Sequence, residues 1–157
     1  MNTWFTCKVR YEKTLENGQN KLVTEPYLVD ALSFTEAEAR IIEEMTPFVS
    51  GGFSVSAVAK ANYAELLSAE DDLSADLWYK VKLGFITIDE RTGSEKKTFS
   101  NVLVQASDLR DALNRLDESM KGSMADYVVV SVSETPIVDV FPYGNEKDAV
   151  SEFIKEV

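Results

Sequence analysis

Trp4-Phe5-Thr6-Cys7-Lys8-Val9 and Trp78-Tyr79-Lys80-Val81-Lys82-Leu83 carry one pattern twice, 74 residues apart. In each, a tryptophan starts a run in which apolar and polar residues alternate, the period of a strand with one covered face. Working outward, Gly18 matches Gly93, now 75 apart, and Leu28-Val29 matches Leu103-Val104. Ala37, Arg40 and Met45 match Ala112, Arg115 and Met120, and Phe53 matches Tyr127, back at 74. One residue inserted early and one deleted after the middle of each copy account for the drift. An internal repeat is therefore the first statement about this chain.

Each copy reads as a fixed order of elements. Alternating segments at 4–13 and 78–89 are followed by a glycine-bearing turn and a second extended run, at 21–31 and 97–106. That is a hairpin signal. Pro26 inside the first of these runs predicts an edge or a bulge there. A helix comes next. Ser33 with Glu36 three residues on forms a capping-box pattern, and Asp108 with Asp111 repeats it. Phe34, Ala37, Ile41 and Met45 predict one buried helix face; Leu109, Ala112, Leu116 and Met120 predict the same face later. Thr46-Pro47 and Lys121-Gly122 end the helices. Residues 53–67 and 127–141 are each long enough for a strand, a bend and a second short strand.

The expected fold class is α+β: two ββαβ repeats forming one pseudo-twofold domain with mainly antiparallel sheet, the copies sharing a sheet or packing helix to helix. The boundaries are 1–67 for the first repeat, 68–76 for an acidic linker, 77–142 for the second repeat and 143–157 for a short amphipathic tail. A half of this size would be marginal alone, which is why one joint domain is expected. In the tail Val150, Phe153, Ile154 and Val157 fall at helical spacing. So short a helix must dock to be stable, and an open sheet also leaves unpaired edges that invite pairing. A homo-oligomer with tail or edge strand at the contact is expected.

Composition limits the chemistry. The 157 residues include no histidine and one cysteine, so Ser-His-Asp, Cys-His and histidine-metal sites are excluded within this chain, as are an intrachain disulfide and a thiolate zinc cluster. No apolar run reaches the roughly 18 residues of a membrane span, and Met1-Asn2-Thr3-Trp4 lacks a signal-peptide start; a cytoplasmic protein is expected. Sixteen basic against 27 acidic residues give a net charge of −11. Residues 68–76 hold four acids and no base, and residues 143–157 hold four acids and two bases, so over half of the excess lies outside the repeats.

The stretches TWFTCKVRYEK at 3–13, TEPYLVDALSFTEAEARIIEEMTPF at 24–48 and LVQASDLRDALNRLDE at 103–118, with MKGSMADY at 120–127, resemble an uncharacterised domain-of-unknown-function family of Bacteroides-type bacteria and their phages and mobile elements. The resemblance spans about residues 3–143. It implies no activity, cofactor or catalytic residue, and it points to a phage- or mobile-element-linked role.

Among candidate sites, the polar faces of the two first strands stand out: Trp4, Lys8 and Arg10 in one, Trp78, Lys80 and Lys82 in the other. Rings beside cations on an open sheet suit a single-stranded nucleic acid or a nucleotide, through stacking and phosphate neutralisation. The ordinary alternative is that each Trp caps its sheet and the cations are a solvated face, which the acidic balance favours. Glu36, Glu43 and Glu44, weakly matched by Asp111, Asp117 and Glu118, form a modest acidic helix side. Cys7 lies on the apolar face of its strand and reads as a core residue. Ser50-Gly51-Gly52 follows a helix and lacks the phosphate-loop pattern, so it reads as a plain connection. Asp71-Asp72 and Asp89-Glu90 specify no metal. No nucleophile, base and oxyanion donor assemble, and no cofactor or metal is expected. The functional expectation is a non-enzymatic, small acidic interaction protein with an unknown protein partner and no membrane role. A single-strand nucleic-acid or nucleotide binder comes second, and a phage inhibitor of a host defence nuclease third.

Overall fold

The computed structural model describes residues 3–142; the tail residues Val150, Phe153, Ile154 and Val157 lie outside them. The order is β1 (Trp4–Thr14), β2 (Asn20–Asp30), α1 (Phe34–Met45), β3 (Phe53–Ala61), β4 (Glu65–Leu67), β5 (Leu77–Ile88), β6 (Glu95–Ala106), α2 (Leu109–Met120), β7 (Asp126–Thr135) and β8 (Asp139–Phe141). The fold is α+β, with two four-stranded, mostly antiparallel sheets ordered β3-β1-β2-β8 and β4-β6-β5-β7. The repeats do not share one sheet. Instead the short strands β8 and β4 pair parallel with β2 and β6, in the sheet built by the other half of the sequence.

That exchange moves the expected boundaries. Among the described residues the compact units are 3–61 with 137–142, and 62–136. The 1–67 and 77–142 halves are cut by β4 and β8, because each three-residue strand finds its backbone partners across the repeat boundary. Nor is 68–76 a free solvated linker. Ala69 and Ala75 are buried, the Ala69 N–H donates to Gln105 Oε1 at 2.8 Å, and Arg115 binds Asp72 at 2.6 Å. Arg40, at the matching place on α1, donates through Nη2 to the carbonyl of Pro142 at 3.3 Å. In both units a helix arginine holds the segment that follows the exchanged strand.

Local chemistry explains the long elements. Gly18 and Gly93 adopt φ of +82° and +70° in the hairpin turns, a region side chains disfavour. The Glu36 N–H donates to Ser33 Oγ at 3.1 Å and the Asp111 N–H to Asp108 Oδ1 at 2.8 Å, so the N-cap half of each expected capping box forms, while the Asp111 carboxylate accepts from the Ser107 N–H. Pro47 stops further helix after α1, and Gly122 at φ +85° follows α2. Pro26 sits opposite Lys8 in the ladder. Its carbonyl accepts from the Val138 N–H on the β8 side, but β8 pairs only with Tyr27–Val29. The missing N–H therefore falls where β2 is locally an edge.

Each unit has its own core between helix and sheet. Phe5, Cys7, Val9, Tyr27, Val29, Ala37, Ile41 and Met45 cluster in the first; Tyr79, Val81, Leu83, Val102, Val104, Ala112 and Leu116 cluster in the second. Phe34 and Leu109 depart from the expected helix face. They are 55% and 46% exposed, because each is the first helical residue and overhangs the sheet end. Phe34 still meets Phe5 edge-on at 5.0 Å. Among the described residues no helix is long and apolar enough to cross a membrane.

Candidate functional site

The ligand platform expected from Trp4, Lys8, Arg10, Trp78, Lys80 and Lys82 does not form as a pair of exposed rings. Trp4 and Trp78 are 2% and 4% exposed. The stacking surface they would offer is buried, while Lys8, Arg10 and Lys80 are exposed and Lys82 is half-buried. Sharing a strand face fixes a direction, not a depth. Trp4 and Arg10 stand six residues apart, about 20 Å along a strand, with one end of the face buried and the other open.

The open end of the second sheet supplies a different ring. Ladder partners share a face, so Phe99 and Val128, both opposite Gly84, lie with Lys82 on the side away from α2. Phe99 is 57% exposed and the Lys82 ammonium stands 4.6 Å from its ring centre. Val128, Val130 and Ile88 are also exposed there. Gly84 makes the surface low in the middle: a Cβ on it would stand 3.0 Å from Lys97 Cε and 3.3 Å from Val128 Cγ2. Lys80, Lys82 and Lys97 share this side, and none of them is in an ion pair among the described residues. A basic, apolar, ring-bearing patch thus stands on a chain of net charge −11. Its sequence signal was the alternation 80-82-84-86-88 itself, read for its lysines and not for the exposed apolar partners that β6 and β7 bring alongside.

A second surface lies in the first unit. A groove of about 410 Å³ runs between α1 and the edge strand β3, lined by Glu38, Ile42, Gly51, Gly52, Phe53 and Val55. Ser50-Gly51-Gly52 therefore serves as a connection that also shapes this groove.

The remaining polar groups are engaged structurally. Burial, and next the charge of Glu38, pushes the Cys7 thiol up to about 11, and the side chain is fully buried. It stays a protonated core residue. Asp72 is held below the usual carboxylate range first by the Ser74 hydroxyl and N–H, then by Arg115. Asp111 is lowered first by the Ser107 N–H and next by Arg115. Asp111 thus belongs to the α2 start and its arginine, not to an acidic display. Asp89 caps its own turn by accepting from the Arg91 N–H at 2.9 Å.

None of the curated proteins compared with the chain matches it. Residues 3–143 match the family model described as Domain of unknown function (DUF4494). That match takes in both units and every element described above, and the chain belongs to this family.

Proposed function

We propose that the chain acts by binding, as a non-enzymatic interaction protein of the cytoplasm in a phage or mobile-element setting. The observation that carries this reading is the open face around Phe99, with Val128, Val130 and Ile88 exposed beside three lysines that form no ion pair among the described residues. Contiguous exposed apolar side chains on a soluble fold mark contact surfaces. Aromatic and β-branched side chains ringed by cations suit a protein partner that is apolar and acidic. The buried, protonated Cys7 and the engaged Asp72 and Asp111 support a binding role over a catalytic one. The test is co-purification from the native host with the chain and its Phe99→Asp variant. A partner retained by the first and lost by the second supports the reading; identical sets from both overturn it.

Single-stranded nucleic acid is the second reading, now resting on Phe99 with Lys80, Lys82 and Lys97. Stacking contributes roughly 1–3 kcal/mol per base, so Phe99→Ala would weaken binding to an oligonucleotide by about tenfold. Trp fluorescence would report little, since both rings are buried. Retention on single-stranded DNA at low salt that is unchanged by Phe99→Ala would sink this version.

A further inference from the structure

We propose that two copies of this chain associate about a twofold axis through their β3 edges, antiparallel, with Val55 opposite Val58 and Phe53 opposite Lys60 of the second copy. Among the described residues β3 is the last strand of its sheet, and one side of its backbone has no ladder partner there. Unpaired edges are templates for another strand. The register follows from the bulge. The ladder sets Phe53, Val55, Val58 and Lys60 opposite Tyr11, Val9, Cys7 and Phe5, which places these four on the helix side. Ser56, the extra residue between Lys8 and Val9 of β1, shifts the alternation by one. When a strand pairs with itself, helix-side residues must face helix-side residues. All four do so when the axis passes between Ser56 and Ala57. The bulge then sits on the axis, and the strand to either side stays regular.

Charge selects this edge. No carboxylate occurs in Phe53–Ala61, and Lys60 is exposed. In the proposed register Lys60 of the second copy lies beside Phe53, and Phe53 lines the groove with Glu38. Its stem covers the groove and its ammonium meets the Glu38 carboxylate, twice by symmetry. The matching edge of the second sheet, β7, has the same bulge one repeat later. The same operation there would set Glu134 of the second copy beside Tyr127, whose hydroxyl donates to Asp117 at 3.3 Å. Carboxylate would face carboxylate, so β7 is the mismatched edge. The contact uses a different unit from the Phe99 face, so its failure leaves the proposed function standing, and the reverse holds too.

Light scattering on the full chain tests it, at about 0.15 M salt, where a Debye length of about 8 Å screens the repulsion of two acidic chains. The expected mass is twice the 17.5 kDa of one chain. Lys60→Glu and Glu38→Lys each turn two attractions into repulsions and are expected to weaken the dimer by about tenfold or more. Both side chains are exposed, and circular dichroism checks that the variants fold. The double variant Glu38→Lys/Lys60→Glu restores the doubled mass, and Glu134→Lys leaves it unchanged. A wild-type chain that stays monomeric at every attainable concentration overturns the proposal, as does a dimer that survives both single variants or yields to Glu134→Lys instead.

Discussion

A side chain at Gly84 would be crowded. A Cβ there would press on Lys97 Cε at 3.0 Å and on Val128 and Val130 at 3.3 and 3.4 Å. The lysine end can swing away, but Val128 is held in the ladder directly opposite Gly84. Gly84→Val is therefore expected to destabilise the second unit by about 1–3 kcal/mol, the usual cost of overpacking, read as a lower urea midpoint. In the first unit Glu25 accepts from Tyr11 at 2.7 Å and from Tyr27 at 3.4 Å. Burial, and next the Glu25 hydrogen bond, raises Tyr11 from 10.0 to about 12. Tyr27 is raised further, again mainly by burial and then by the Glu25 charge. Both groups are harder to ionise folded than unfolded. Their stabilisation is complete below pH 10 and is lost as pH climbs through the folded value. Urea midpoints should fall between about pH 10 and 12, in step with tyrosinate absorbance. A Tyr11→Phe chain should lose less across that window, and equal slopes would refute the assignment.

At the scale of elements, the two caps are a matched pair. Removing the oxygen at either, Ser33→Ala or Asp108→Ala, strands the N–H of the third helical residue at an exposed helix start. Each is expected to cost about 1 kcal/mol, measured as a drop in thermal midpoint, and no drop in either would mean the caps are idle. These caps, the hairpin glycines, both helices and the long strands were legible because each is written in neighbouring residues. The period of two, the period of 3.6 and the spacing of Ser33 to Glu36 need no knowledge of the rest of the chain. Three features were not legible, for one shared reason. The strands β4 and β8 are three residues long and show no period. Segment 68–76 looked solvated because its acids are local, whereas Arg115, which binds Asp72, lies 43 residues away. Trp4 and Trp78 were assigned the right face, but cover is set by long-range packing that alternation does not encode. The ring that is open on that face of the second sheet, Phe99, sits in β6, outside the two strands that carry the tryptophans.

For the whole molecule the exchanged strands are the decisive feature. A parallel pair needs a crossover and cannot close locally, so each sheet waits for a segment made by the other half of the sequence. Phe141 stacks on Tyr27 at 5.9 Å and packs against the first core, so β8 covers part of it. Leu67 does the same for the second. A polypeptide ending at residue 67 would thus carry β4 with nothing to pair with, and its own sheet would lack β8. One spanning 68–142 would be the reverse. Each piece would leave an edge of β2 or β6 unpaired and part of its core uncovered. The expectation is that both fragments are largely unfolded by near-ultraviolet circular dichroism, and that mixing them restores the native spectrum with one-to-one stoichiometry. Cutting instead after residue 61 and after residue 136 follows the compact units. The excised 62–136 piece is then expected to fold alone, since it contains β4, β5, β6, β7, α2 and the Arg115–Asp72 pair. Should 1–67 fold unaided while 62–136 does not, the exchange would be incidental to the fold and the repeat boundary, not the strand boundary, would define its units.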